Sequence, residues 1–267
     1  MKILKPKFWE KKNSLISLLF LPVSFFLQLL IRIKKKLTSE HSFKIPIICI
    51  GNIYLGGTGK TPLSILIAKE LEKHNKKPAI IKKYYSEHID EHKLINNSVD
   101  CLFLNKKRSK AINSAEKKQY NVAILDDGFQ DYSIKKDLNI LCFNSNQLIG
   151  NGMTLPSGPL RESINAIKKT QIVIINGNEN KLFEEKILSI SNKVKIFYSN
   201  YLPENIEEFK NKNLFAFAGI GNPNNFFKLL AENNLNVRKK LAFPDHYKFN
   251  KSEIQKMIDE SFQNKLE

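Results

Sequence analysis

Along most of this chain, short apolar runs alternate with longer stretches whose apolar residues recur three and four apart. The short runs fall at Ile45–Ile50, Pro78–Ile81, Cys101–Leu104, Val122–Leu125, Leu138–Phe143, Gln171–Ile175, Val194–Tyr198 and Leu214–Ala218. Runs this short, with little alternation and many β-branched residues, predict strands buried on both faces. The connections are long enough for helices, and strands joined by helical crossovers pair in parallel. The pattern therefore predicts an α/β fold: a mostly parallel sheet with flanking helices. A ligand in such a sheet sits beyond the carboxyl ends of the strands. A change in composition near Tyr201-Leu202-Pro203-Glu204 predicts a boundary between a core over residues 39–202 and a smaller lobe over 203–267.

The N-terminal segment, residues 1–38, breaks the pattern. Leu15 to Ile33 is almost entirely apolar, interrupted by Pro22, with lysines before it and Arg32, Lys34, Lys35 and Lys36 at its end. A spanning helix needs about 20 apolar residues, and basic residues on both flanks disfavour a clean crossing. No small-residue cleavage site follows the run, which argues against a removable leader. The segment predicts a membrane-anchoring helix lying in, or dipping into, an anionic surface, with Trp9 near the interface. Charge points the same way. Lys+Arg number 43 against 26 Asp+Glu, a net charge of +17, so the chain favours anionic partners. No nucleic-acid recognition motif stands out, so lipid headgroups or phosphorylated substrates are expected rather than nucleic acid. Cys49, Cys101 and Cys142 lie in or beside strand-like runs without metal-ligand spacing and read as reduced core residues.

Candidate chemistry sharpens the picture. The first strand runs into Gly51-Asn52-Ile53-Tyr54-Leu55-Gly56-Gly57-Thr58-Gly59-Lys60-Thr61, and an amphipathic stretch follows from Pro62. Strand, glycine-rich loop, Gly-Lys-Thr and helix form the layout of a nucleotide phosphate cradle, so the fold expected is that of the P-loop NTPases. Gly56, Gly57, Thr58 and Gly59 would turn backbone N–H groups toward phosphate, Lys60 would reach the outer phosphates and the Thr61 hydroxyl would ligate Mg²⁺. One position departs: the usual pattern places Gly where this chain has Tyr54. Downstream, Val122–Leu125 ends in Asp126-Asp127-Gly128, where such proteins keep the acid of the metal side.

Further motifs are unusual for loops. Gly150-Asn151-Gly152 and Leu155 to Glu162 are rich in Gly and Pro and present Arg161, which either stabilises charge on a transferred group or braces a turn by pairing with Glu162. Phe243-Pro244-Asp245-His246 offers a possible proton acceptor in His246, although a lone His is more often structural. His88 and His92 bracket Asp90-Glu91 at helical spacing but lack a third ligand, so the acids are of more interest than a zinc site.

Taken together, and in this order, these motifs resemble the tetraacyldisaccharide 4'-kinases, the lipid A 4'-kinases of Gram-negative bacteria. The resemblance also rests on Leu125-Asp126-Asp127-Gly128-Phe129-Gln130 and Phe217-Ala218-Gly219-Ile220-Gly221-Asn222-Pro223, and covers nearly the whole chain. It implies ATP and Mg²⁺, with the γ-phosphate passed to the 4'-hydroxyl of an acylated glucosamine disaccharide 1-phosphate at the cytoplasmic face of the inner membrane. It implies that Asp90 works with His246 on the sugar hydroxyl, that Lys60 serves phosphate, that Thr61, Asp126 and Asp127 serve the metal, and that Glu91, Arg108 and Arg161 contact phosphate or substrate. The chain departs from that pattern in places. Lys82-Lys83-Tyr84-Tyr85-Ser86 replaces the usual Ser-Arg-Gly-Tyr-Gly, Ile89 and His92 replace the Gly and Pro around the Asp-Glu pair, and Asp131 replaces a His. The chain also stops soon after His246, without a Thr-Glu-Lys-Asp segment. The alternatives are a membrane-associated P-loop NTPase without a sugar acceptor, a nucleotide-binding relative that has lost turnover, and a basic nucleic-acid-binding protein.

Overall fold

A computed structural model of the chain describes residues 6–86, 88–244 and 247–267. The chain forms two compact units, one ending at Asn200 and the other running Tyr201–Glu267. In the first, helices α1 (Leu15–Leu19) and α2 (Leu21–Leu37) precede β1 (Ile47–Gly51), α3 (Lys60–Lys73) and β2 (Pro78–Lys83). Then come α4 (Ile89–Ser98), β3 (Leu102–Asn105), α5 (Arg108–Lys117), β4 (Val122–Asp126) and β5 (Leu138–Asn144). After a long connection the unit closes with β6 (Ile172–Asn176), α6 (Lys181–Ile190) and β7 (Lys195–Ser199).

These strands make one parallel sheet of seven, ordered β3-β2-β4-β1-β5-β6-β7. The central strands β4 and β1 are buried nearly throughout, which is why they read as continuous apolar runs; the edge strand β7 is largely exposed on alternate residues. Each face carries its own apolar cluster, one built on Ile47, Cys49, Leu125 and Leu141, the other on Ile50, Ile80, Ile124 and Ile140. From β1 the chain crosses toward β2, and from β4 and β5 it leaves toward the opposite edge. The ends of β1 and β4 therefore flank the crevice where a ligand of such a sheet binds. All three cysteines are free and buried, and burial pushes the thiols of Cys49 and Cys142 up to about 12, so they act as core residues.

In the second unit, β8 (Leu214–Ala218) and β9 (Val237–Ala242) pair in parallel around α7 (Pro223–Glu232), and α8 (Lys251–Gln263) opens on an Asn250–Glu253 capping box. Strand β9 is absent from the pattern-based expectation. Its sequence, Val-Arg-Lys-Lys-Leu-Ala, is half charged, and only alternate positions turn inward.

The N-terminal helices show an inverted polarity. Their polar residues Ser17 and Ser24 are buried, while Leu15, Leu19, Phe25 and Phe26 are exposed. The polar stripe docks on the connection between β5 and β6. Ser24 Oγ donates to Thr154 O at 3.0 Å, lies 2.8 Å from Ser157 Oγ and accepts from Ser157 N at 3.0 Å. Asn151 Nδ2 donates to Ser17 Oγ at 3.0 Å, and Gln28 Nε2 to Arg161 O at 3.3 Å. Pro22 sits in the first turn of α2, where its missing N–H costs no hydrogen bond. Trp9, expected near an interface, is instead buried, with its indole N–H on Pro156 O at 3.0 Å. Among the described residues, no helix is long and apolar enough to cross a membrane.

Removing the Ser24 hydroxyl leaves Ser157 N, a buried donor, without its acceptor. Ser24→Ala should therefore cost about 1–3 kcal/mol of stability, seen as a lower Tm. The control Ser114→Ala, whose hydroxyl bonds at the exposed surface of α5, should leave Tm unchanged.

Candidate active site

Strand β1 delivers the chain to a loop that cannot be built from ordinary backbone. Gly56 has φ +137° and Gly59, the residue before α3, has φ +84°, conformations that side chains other than glycine rarely adopt. Two asparagines brace the loop from either side. Asn52 Nδ2 donates to Gly56 O at 3.1 Å and to Thr58 Oγ1 at 3.0 Å; Asn176, at the end of β6, donates to Thr58 O. The loop ends at Lys60 and Thr61, the first residues of α3, where free helix N–H groups and the dipole favour an anion.

The tyrosine in a glycine position has a local explanation. Tyr54 is buried and forms an antiparallel bridge with Leu160; Leu55 N donates to Pro159 O at 2.8 Å and Arg161 N to Ile53 O at 2.7 Å. Residues 53–55 thus pair as a strand with the Pro-rich loop, and the tight turning begins only at Gly56. That pairing also fixes where Arg161 emerges.

Strand β4 ends in the acid pair. Asp126 is fully buried; its Oδ2 accepts from Thr61 Oγ1 at 2.9 Å and from Lys82 Nζ at 2.5 Å. Its Oδ1 is buried without a hydrogen-bond partner. Asp127 follows in the left-handed region, φ +57°, which turns its carboxylate toward Lys60 Nζ at 3.7 Å and Arg161 Nη1 at 3.1 Å. Arg161 therefore pairs with Asp127, not with Glu162. Removal from water would raise the Asp127 pKa, but Lys60 and Arg161 overcome this and hold it at about 2. Arg108 Nη2 donates to Asp127 O at 2.7 Å, and its Nη1 meets Asp131 Oδ2 at 3.3 Å. Asp131 also accepts from Ser133 Oγ at 2.7 Å, so this acid serves to hold Arg108 in place.

Lys60, Thr61, Asp126, Asp127, Arg108 and Arg161 thus converge at the carboxyl ends of β1 and β4. Glu91 joins them through Lys82, whose Nζ lies 2.7 Å from Glu91 Oε2. Asp90 is exposed on the same first turn of α4. His246 lies outside the described residues. Lys82, Asn52 and Asn176 escape the motif reading, although Lys82 had one signal: it ends an apolar strand and stands level with Asp126 in the sheet. Gln130 links the two halves of the loop region, donating to Asn52 O at 3.0 Å and accepting from Arg161 at 3.4 Å.

The donor set suits a hard divalent cation. An unpaired buried carboxylate oxygen on Asp126 adjoins a hydroxyl, Thr61, both oxygen ligands of the kind Mg²⁺ takes. Among the described residues, no group of three or more His, Cys, Asp or Glu side chains converges as a protein-only metal cage. That fits an ion which keeps water and phosphate oxygens as most of its shell.

Because the folded Asp127 pKa is lowered from 3.8 to about 2, its ion pairs stabilise the protein at every pH above the ordinary carboxylate range. The contribution falls as pH drops through that window toward 2. Asp127→Asn should flatten the acid limb of a plot of Tm against pH below about pH 4 and leave its slope near pH 7 unchanged.

The family model for tetraacyldisaccharide-1-P 4'-kinase matches residues 16–266. A tetraacyldisaccharide 4'-kinase of Pelagibacter ubique is 47% identical, over 97% of this chain and 83% of its own. One from Francisella tularensis subsp. novicida is 32% identical, over 93% of this chain and 88% of its own. A crystal structure of the Aquifex aeolicus enzyme LpxK in complex with ATP superposes with a TM-score of 0.65 at 23% identity, covering 90% of this chain and 87% of that one, a likeness of fold. With the family model matching nearly end to end and two curated relatives above 30% identity, the chain belongs to the tetraacyldisaccharide-1-P 4'-kinase family.

Proposed function

We propose that this protein transfers the γ-phosphate of ATP to the 4'-hydroxyl of a tetraacyldisaccharide 1-phosphate, a step of lipid A biosynthesis. The observation that carries the reading is the phosphate cradle Gly56–Thr61 set against the buried, half-satisfied Asp126, in a chain of this family.

The roles follow from the groups present. Backbone N–H groups of Gly56, Gly57, Thr58 and Gly59 and the start of α3 receive phosphate oxygens. Lys60 and Arg161, which share Asp127, are the cations aimed at the charge that develops during transfer. Thr61 and Asp126, with Asp127 beside them, would hold Mg²⁺, which when bound neutralises phosphate charge. Arg108 and Glu91 belong to the acceptor side. Asp90 and His246 together take the proton of the sugar hydroxyl as its oxygen bonds to phosphorus and the bond to ADP breaks.

The acceptor is a lipid, and the inverted N-terminal helices suit delivery from a membrane. With Ser17, Ser24 and Gln28 turned to the protein, the outward face carries Leu19, Phe25, Phe26 and Leu30, followed by Arg32 to Lys36. An apolar face beside a basic cluster matches an anionic leaflet, here the cytoplasmic side of the inner membrane.

Transfer of labelled γ-phosphate to tetraacyldisaccharide 1-phosphate tests the reaction. Lys60→Ala should lower kcat by about 10²–10³, and His246→Ala by about 10²–10⁴ with ATP affinity retained; wild-type rates in both would remove the site assignment. For the membrane, the double variant Phe25→Glu, Phe26→Glu should weaken binding to phosphatidylglycerol-containing vesicles by about tenfold or more, without changing Tm. Unchanged co-sedimentation would reject these helices as the contact.

A further inference from the structure

The stretch Lys82-Lys83-Tyr84-Tyr85 ends β2 and leads toward α4; two of its four side chains reach that helix and a third reaches its N-cap. Lys82 Nζ lies 2.7 Å from Glu91 Oε2; the Tyr84 ring stacks on His92 at 5.7 Å between centroids; Tyr85 meets His88 at 5.2 Å. Lys82 is the one that also reaches the phosphate site. It stands level with Asp126 on the adjacent parallel strand, and its ammonium lies 2.5 Å from Asp126 Oδ2. The Lys82 side chain is only 6% exposed, that of Asp126 0% and that of Glu91 31%. An ammonium has three donors and no acceptor, so one Lys can serve both carboxylates at once. Helix α4 needs such a tether. It has ten residues, below the length at which an isolated helix persists, and buries only His92 and Ile95.

We propose that Lys82 is a positioning residue: it clamps Glu91, and with it the first turn of α4 that carries Asp90, onto Asp126 beside the phosphate loop. One buried cation then fixes the separation between the metal-side acid and the acceptor-side acids. Ile89 and His92 flank the acid pair, and neither restricts the backbone as Pro would, so the clamp supplies the rigidity. The clamp is a statement about geometry; its effect on turnover rests on the function proposed above.

Hydrogen exchange of the full-length protein tests the clamp directly, alongside phosphoryl transfer. The central variant is Glu91→Gln, which turns one charged arm into a weaker neutral contact at a partly exposed position and leaves Lys82 on Asp126, so the fold is kept. Amides of Ile89–Ser98 should exchange about tenfold faster, while those of α3 stay as in wild type. The kcat should fall about tenfold with the KM for ATP within about twofold. Lys82→Met should loosen α4 in the same way, Lys82→Arg should restore part of the protection, and the kinetic losses of Lys82→Met and Glu91→Gln should not add in the double variant. Wild-type exchange of α4 in Glu91→Gln, or additive losses in the double variant, would overturn the clamp. If α4 loosens as expected but the wild-type protein transfers no phosphate, the clamp stands and the kinase reading falls.

Discussion

Two adjacent carboxylates at the end of a buried strand set the terms for everything around them. Asp126 has no contact with water and Asp127 beside it is partly exposed, and burying unpaired charge is among the largest penalties a fold can incur. The structure answers with four cations drawn from four different elements: Lys60 from the start of α3, Lys82 from the end of β2, Arg108 from the start of α5 and Arg161 from the Pro-rich loop. Each is brought in by a separate piece of the chain, so the acid pair acts as the point at which those pieces register on one another. The arrangement stays incomplete by one buried oxygen, Asp126 Oδ1, and that incompleteness is what a Mg²⁺–nucleotide complex would fill.

The Pro-rich loop does two jobs at its two ends. Toward Arg161 it pairs with residues 53–55 and fixes the guanidinium on Asp127. Toward Asn151 and Ser157 it receives the polar stripe of the N-terminal helices. Site and apolar outer face are therefore tied through one rigid segment, with Gln28 on Arg161 O as the closest link. If that outer face rests on a membrane as proposed, a short rigid connection would hold the phosphate site at a set height above it where a flexible tether would not.

Much of this was legible from local chemistry. Short apolar runs locate seven of the strands in the main sheet, because strands buried on both faces have no polar positions to spare. The Gly-Lys-Thr loop and the acid pair are legible because phosphate binding demands glycine backbone, a cation and a hydroxyl in fixed succession. The strand β9 is illegible since its exposed face carries Arg and Lys, and residues 53–55 read as part of the loop since nothing local announces a partner more than a hundred positions away. Trp9 misleads for the same reason: an aromatic beside an apolar, basic segment looks interfacial until a distant carbonyl, Pro156 O, claims its indole N–H.

The division between sequence and tertiary structure follows the range of the forces involved. Periodicity, backbone permissiveness and net charge are properties of neighbours along the chain, and they alone determined the α/β class, the phosphate loop, the acid pair, the basic balance and the membership of a kinase family. Pairing is different, because a buried charge accepts whichever opposite charge the fold brings within a few ångströms. Only the folded chain decided that Arg161 serves Asp127 rather than its neighbour Glu162, that Asp131 holds Arg108, that the serines of an apolar helix face inward, and that Lys82 joins Glu91 to Asp126. Those contacts span from nine to more than a hundred positions, and no pattern of adjacent residues encodes them.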